Sequence, residues 1–217
     1  MKHIIFVPGL GSDERLFRYI DLNGNHHKHF IKWTKPLKNE TLQSYLLKLK
    51  EQITIDEPAV LVGVSLGGIM AMEFREMIPV EKTIIISSVK TRAEMPAVLN
   101  LVRLLNLNNL IPLWLTKKIA VHTPVITEGR PIATKTLFEQ MLYDADDVFL
   151  RWAMQAALDW KRKSYDKKNL VHIHGTKDLV FPFKNITNCN YTIKGGTHGM
   201  IMSRPKEISE ILRREIL

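Results

Sequence analysis

Apolar residues along this chain fall into two kinds of run. Short compact runs come first: Lys2 to Val7, stopped by Pro8-Gly9, then Ala59 to Val62, Thr83 to Ile86 and Leu170 to Ile173. In the first of them the apolar residues are consecutive rather than alternating, which suits a strand buried on both faces of a parallel sheet. Two shorter strands are expected at Phe30 to Trp33 and at Tyr191 to Ile193. The second kind of run has helical spacing. Leu42, Tyr45, Leu46, Leu49 and Ile53 form one amphipathic stripe. Another helix is expected from the turn after Val62 to about Ile78, with Pro79 at its exit. The chain closes on a helix with Ser203 as its N-cap, Pro205 in its first turn, and Ile208, Ile211 and Leu212 facing the core.

Strands alternating with helices predict an α/β fold, a mostly parallel sheet with helices on both faces. One region breaks the alternation. From Val89 to Tyr165 there is no strand signal. Met95, Val98, Leu99, Val102 and Leu105 fall at helical spacing, and Leu101, Leu104 and Leu107 make that helix apolar nearly all round. A second helix is expected from Asp146 to about Arg162, carrying Phe149, Trp152, Ala153, Ala156 and Trp160 on one stripe. Asp144, Asp146 and Asp147 stand at its start and Lys161, Arg162 and Lys163 at its finish, matching the helix dipole. The expected organisation is a core of residues 1–88 and 166–217, interrupted by a helical block at 89–165. That block is either ordinary core helix or a cap over a ligand pocket.

Composition narrows the setting. The chain has 217 residues, enough to bury a full core, and its 45% apolar and 24% charged residues are those of a globular protein. It carries 31 Lys+Arg against 22 Asp+Glu, a net charge of +9. Such an excess suits nucleic acid, an anionic surface or an acidic substrate, or mere solubility. Its longest basic run is Lys161-Arg162-Lys163 and acidic residues are interleaved elsewhere, so no nucleic-acid partner is expected. Cys189 is alone, which excludes an internal disulfide and fits a reducing compartment. Only Ile4 to Val7 are apolar before Pro8-Gly9, too short for a signal peptide. The longest uncharged stretch, Pro58 to Met72, falls short of the ~20 apolar residues of a membrane helix. A cytoplasmic protein without membrane insertion is expected.

The chemistry sits in four short segments. Gly63-Val64-Ser65-Leu66-Gly67 matches the Gly-x-Ser-x-Gly nucleophile elbow, between a buried strand and a helix. The turn is so tight that Gly63 and Gly67 leave no room for side chains, and Ser65 is lifted towards a helix N-terminus. A serine hydroxyl needs a base within hydrogen-bond reach. Among the eight His, His198 stands out in Gly195-Gly196-Thr197-His198-Gly199, a loop leaving the carboxyl edge of the sheet. His26, His27 and His29 read as solvated loop, His3 lies in or beside the first strand, and His122 falls in the helical block. His172 and His174 share one face of their strand, which suggests packing or a supporting role. An acid must fix the tautomer of the base, and Asp178 in His174-Gly175-Thr176-Lys177-Asp178 lies on the same edge. The stretch Ser87 to Arg92 offers no carboxylate before Glu94, which favours Asp178. An oxyanion hole needs two backbone N–H groups. Leu66 supplies one, and Leu10 in Pro8-Gly9-Leu10-Gly11-Ser12 is the choice for the other, with Gly11 next.

Together the segments Phe6 to Gly11, Gly63 to Gly68, His174 to Asp178 and Gly196 to Gly199 resemble the α/β-hydrolase superfamily. The resemblance spans nearly the whole chain. It implies Ser65 as nucleophile, Asp178 as acid, His198 as base, Leu10 and Leu66 at the oxyanion hole, and a helical lid at 89–165. Two departures stand beside it. The first strand here carries the oxyanion loop directly, so the family's first two strands are missing and about six strands are expected. Pro8-Gly9 also replaces the usual His-Gly. The expected function is a serine hydrolase acting on a small-molecule acyl substrate, an ester or thioester, with no metal or organic cofactor. A carbon–carbon bond hydrolase with the same residues is the enzymatic alternative, and a non-catalytic binding protein the other. The lid segment's Leu, Val, Trp and Met suggest an apolar substrate, and Lys90, Arg92 and Lys177 are candidates for holding an anionic group.

Overall fold

The computed structural model describes residues 1–105, 111–122 and 132–217. A six-stranded, all-parallel sheet forms its centre, in the order β2-β1-β3-β4-β5-β6. The strands are β1 (His3–Val7), β2 (His27–Phe30), β3 (Ala59–Val64), β4 (Val80–Ile86), β5 (Leu170–Gly175) and β6 (Tyr191–Ile193). Every residue of β3 and β5 is buried, as strands covered on both faces of a parallel sheet require, and in β5 this includes His172 and His174. The order reverses between β1 and β3, so the loops after those strands part there and leave a crevice at the carboxyl edge. Val7 pairs with Gly63, Val64 with Ile86 and Gly175 with Ile193. This register delivers the loops after β1, β3, β5 and β6 to that one edge.

The edge strand β2 lies earlier than its apolar pattern suggested. Three of its four residues are polar or basic, His27, Lys28 and His29, yet they pair with His3, Ile4 and Ile5 of β1. An edge strand has one open side, so polar residues are tolerated there. Stacking of His3 on His27 and His29, with ring centroids 4.8 and 5.1 Å apart, replaces apolar packing. His27 and His29 are therefore strand residues rather than solvated loop.

The helices outside the block are α1 (Leu42–Lys50), α2 (Leu66–Phe74) and, after those of the block, α7 (Met200–Ser203) and α8 (Pro205–Ile216). Thr41 caps α1 by accepting from the Ser44 amide. Helix α2 stops at Phe74 rather than near Ile78, and the chain continues in a turn. Ser203 does not cap α8. Its amide still donates to the Gly199 carbonyl, so it closes α7, and Arg204 precedes Pro205. Ile208, Ile211 and Leu212 are buried as their spacing requires.

Between β4 and β5 lie α3 (Val98–Leu104), α4 (Leu113–His122), α5 (Ile132–Asp144) and α6 (Asp147–Asp159), with no strand among the described residues. Leu107, expected on α3, lies outside those residues. Helix α6 begins where its cap predicts, with Asp146 Oδ1 accepting from Phe149 N at 2.8 Å. It ends at Asp159 rather than Arg162, and Arg162 instead pairs with Glu73 at 2.8 Å. Helices α4 and α5 were not expected from the pattern. Helix α6 is fastened to the core by Trp152, whose ring lies 4.1 Å from that of Tyr45 and whose indole donates to the Glu40 carbonyl. Among the described residues no helix is long and apolar enough to cross a membrane.

Candidate active site

Ser65 sits between β3 and α2 at φ +54° and ψ −118°. Positive φ is costly for a residue with a Cβ, on the order of 1–3 kcal/mol, and persists only where surroundings enforce it. Here the Ser65 amide donates to the Ile86 carbonyl at 3.0 Å. Its own carbonyl accepts from the amides of Gly68 and Ile69, and from the Ser88 hydroxyl at 2.7 Å. The glycines are sterically required. A Cβ on Gly63 would strike the Gly67 carbonyl, one on Gly67 the Val7 carbonyl, and one on Gly68 the Ser88 side chain. The sequence assigns no role to Ser88, and Gly68 enters its reading only as the end of the segment Gly63 to Gly68.

His198 Nε2 lies 2.9 Å from Ser65 Oγ, and His198 Nδ1 lies 2.9 Å from Asp178 Oδ2. Asp178 Oδ1 accepts from the amides of Val180 and Phe181, each at 2.9 Å. The carboxylate can only accept, so His198 carries its proton on Nδ1 and offers the Nε2 lone pair to the Ser65 hydroxyl. Burial alone would push the Asp178 carboxyl up. The charge of an imidazolium at His198, its hydrogen bond and the Phe181 amide outweigh this and hold the carboxyl below its ordinary value. The Phe181 ring stands edge-on to His198 at 5.6 Å. Three side chains far apart in sequence thus form one hydrogen-bonded line.

The loop after β1 lies against Ser65: a Cβ built on Gly9 would be 3.5 Å from the Ser65 Cβ. The Gly9 carbonyl accepts from the Ser12 hydroxyl at 2.9 Å and the Trp33 indole at 3.3 Å. Trp33 also donates to the Ser12 carbonyl at 3.1 Å, a support that spans two loops and has no signature in sequence. Among the described residues the amides of Leu10 and Leu66 donate to no protein acceptor. They remain available to a ligand beside Ser65.

Two apolar cavities meet at Leu10 and Ser65. One, of about 200 Å³, includes His198 with Leu16, Leu113, Phe138 and Leu142. The other, of about 240 Å³, lacks His198 and is lined by Leu66, Ile69, Leu99, Val102 and Ala157. Met154 and Val180 border both. None of Lys90, Arg92 and Lys177 lines either cavity. Lys90 is buried and paired with Glu94 at 2.8 Å, Arg92 donates to the Leu158 carbonyl at 2.7 Å, and Lys177 is exposed. Lys117 borders the first cavity, paired with Asp147 at 2.7 Å.

His172 and His174 lie in β5, both fully buried and joined through Nε2 and Nδ1 at 3.1 Å. His3 is in β1, and His122 is the last residue of α4. Among the described residues no group of three or more His, Cys, Asp and Glu is placed to hold a metal ion.

The model of the family described as the alpha/beta hydrolase family matches residues 4–211. No curated protein matches the chain. Similar solved structures include MenH from S. aureus, at TM-score 0.77 and 15% identity, covering 99% of this chain and 93% of that one. The enol-lactonase from Burkholderia xenovorans LB400 aligns at TM-score 0.76 and 13% identity, covering 100% and 91%. An esterase from Exiguobacterium antarcticum aligns at TM-score 0.71 and 16% identity, covering 100% and 92%. At these identities the likeness is one of fold.

Proposed function

This chain belongs to the alpha/beta hydrolase family, and we propose that it is a serine hydrolase cleaving a small apolar ester or thioester through an acyl-enzyme on Ser65. The observation that carries this reading is the line from Asp178 through His198 to Ser65, with both contacts at 2.9 Å and Ser65 held at positive φ. His198 Nε2 takes the hydroxyl proton as Ser65 Oγ bonds to the acyl carbon. The amides of Leu10 and Leu66 receive the oxyanion. As the tetrahedral species collapses, His198 returns the proton to the departing alcohol or thiol. Water then repeats the sequence: His198 removes its proton, the acyl–Oγ bond breaks, and Ser65 recovers a proton as the acid leaves. Asp178 stays ionised throughout, holding the Nδ1–H tautomer and offsetting the imidazolium charge. General-base help of this kind is worth ~10²–10⁴ in rate.

The two cavities divide the substrate. The leaving oxygen or sulfur must lie beside His198 Nε2 to be protonated. The alcohol arm therefore belongs in the cavity that contains His198, and the acyl arm in the one beside Leu66 and Ile69. A dry apolar cavity of about 150 Å³ holds a benzene ring, so each of these, at about 200 and 240 Å³, accommodates a ring-sized group. Among the described residues Ser65 is the one polar side chain lining the acyl cavity, which suits an uncharged acyl group. In this reading residues 89–165 are the lid, since α3 to α6 line both cavities opposite Ser65, over a core of 1–88 and 166–217. A cytoplasmic, reducing setting fits the lone thiol of Cys189.

The test is a panel of esters graded in acyl and alcohol size, with thioesters and lactones, on wild type and Ser65→Ala. Wild type is expected to turn over apolar esters, and Ser65→Ala to lose at least about a thousandfold in kcat. Equal rates for the two proteins would refute the reading.

A further inference from the structure

Behind Asp178, away from His198, a row of ionisable side chains takes no part in the steps above. Lys90 and Glu94 are 1% and 2% exposed, and His172 and His174 are both at 0%. Glu94 Oε1 lies 2.8 Å from Lys90 Nζ, and Lys90 Nζ lies 2.7 Å from His172 Nδ1. His172 Nε2 is 3.1 Å from His174 Nδ1. His174 Nε2 is 2.8 Å from the Phe181 carbonyl oxygen and 3.5 Å from Asp178 Oδ2. The row connects a buried ion pair to the carboxylate that faces His198.

Proton positions along this row follow from donor and acceptor chemistry. An ammonium has donors and no acceptor, so Lys90 donates to His172 Nδ1, which carries no proton. The His172 proton is then on Nε2 and is donated to His174 Nδ1. The His174 proton is in turn on Nε2, aimed at the Phe181 carbonyl and the Asp178 carboxylate. The opposite tautomer of His174 would leave the Phe181 carbonyl without this donor and set a lone pair against a buried carboxylate, a costly arrangement. Burial keeps both imidazoles neutral, with their pKa values below the ordinary range.

We propose that Lys90, acting through His172, fixes the Nε2–H tautomer of His174, and that His174 is a positioning residue holding the Asp178 turn in register with His198. The proposal rests on reading Asp178 as the acid behind His198. Mechanically the turn is gripped from both ends. Asp178 Oδ1 accepts the amides of Val180 and Phe181, while His174 holds the Phe181 carbonyl. The carboxylate cannot swing without breaking one grip, so Oδ2 stays on His198 Nδ1. Glu94 anchors the far end by accepting from the Thr187 amide and hydroxyl as well as from Lys90. Misplacing a catalytic group by about 1 Å costs on the order of 100-fold in rate, which is the scale at which such a support acts.

The experiment is long-range ¹H–¹⁵N NMR of the imidazoles in the whole protein near neutral pH, with kcat and KM on a chromogenic ester beside it. In wild type, His172 and His174 are expected as neutral Nε2–H tautomers. Finding either as Nδ1–H or as an imidazolium overturns the proposal, whatever the activity. Lys90→Met combined with Glu94→Gln removes the donor without leaving an unpaired carboxylate. It is expected to mix the His174 tautomers, move the downfield His198 Nδ1–H resonance, and lower kcat roughly 10- to 100-fold with KM little changed. His174→Gln keeps an N–H for the Phe181 carbonyl and is expected to retain most of kcat, whereas His174→Phe loses it. Thermal unfolding identifies folded variants. A folded double variant with the wild-type His198 resonance and kcat within twofold overturns the positioning role. If Ser65 proves unreactive while the tautomers stand as stated, the hydrolase reading fails and the proton order survives. The His198 resonance in the variants then decides the positioning role alone.

Discussion

Gly175 and Gly196 are in backbone contact: a Cβ on Gly175 would strike the Gly196 carbonyl oxygen, which accepts from the Lys177 amide at 2.9 Å. One glycine ends β5 and the other follows β6, so this contact sets the Asp178 loop against the His198 loop. Substituting Gly175→Ala must push the two loops apart. The expected result is a stability loss of about 1–3 kcal/mol, typical of overpacking, and a fall in kcat larger than that in stability. Urea unfolding and steady-state kinetics on one preparation check both.

Strain at Ser65 is separable from chemistry. Ser65→Gly removes the Cβ that makes φ +54° costly. Relief of strain is offset in part by glycine's greater freedom in the unfolded chain. A net stabilisation of about 1 kcal/mol is expected together with loss of hydrolysis. The shift in urea midpoint, read against Ser65→Ala, measures it.

Cavity filling should separate the two arms of the substrate. Ala157 lines the cavity assigned to the acyl group and Ala120 the one assigned to the alcohol. Ala157→Phe is expected to lower kcat/KM for esters of ring-sized acyl groups roughly 10- to 100-fold, the worth of burying one large apolar group, while sparing acetates. Ala120→Phe should do the reverse, penalising bulky alcohols and sparing methyl esters. Reversed selectivity would exchange the assignments.

Acid should weaken the fold in two stages. His172 and His174 are pushed below their ordinary value of 6.5, chiefly by burial. The unfolded chain then binds more protons than the folded one, so stability falls as pH drops below about 6.5. Each such group contributes at most ~1.4 kcal/mol per pH unit. Asp178 is held below 3.8, so its contribution is lost at still lower pH, as pH falls through its folded value. Urea midpoints from pH 7.5 to 4.5 should decline in wild type, and less steeply in His174→Gln, which cannot titrate.

Sequence legibility followed burial. Strand β3, the turn at Ser65 and the start of α2 were readable because the strand is apolar on both faces and the turn tolerates only glycine at Gly63 and Gly67. Asp178 was readable because it follows the buried strand β5 into a turn, and His198 because glycines flank it in the loop after β6, where Ile193 alone of the strand is buried. Strand β2 was misplaced because one open side lets His27 and His29 stand where apolar residues were sought. Helices α4 and α5 were missed for a related reason. They line a cavity as well as joining the core, and Trp114, Ile119 and Tyr143 are exposed, which blurs the helical stripe. The row from Lys90 to His174 depends on a contact between Lys90, in the loop after β4, and His172 in β5, and no local pattern announces such a pairing. The indole of Trp33 on the loop after β1 is invisible for the same reason.

The most direct measurement is the intact mass of the protein after reaction with an organophosphonate ester, followed by peptide mapping. The account predicts one adduct per chain on the peptide containing Ser65, no adduct on Ser65→Ala, and much slower labelling of His198→Ala. An unlabelled wild type, or an adduct that persists in Ser65→Ala, would contradict it.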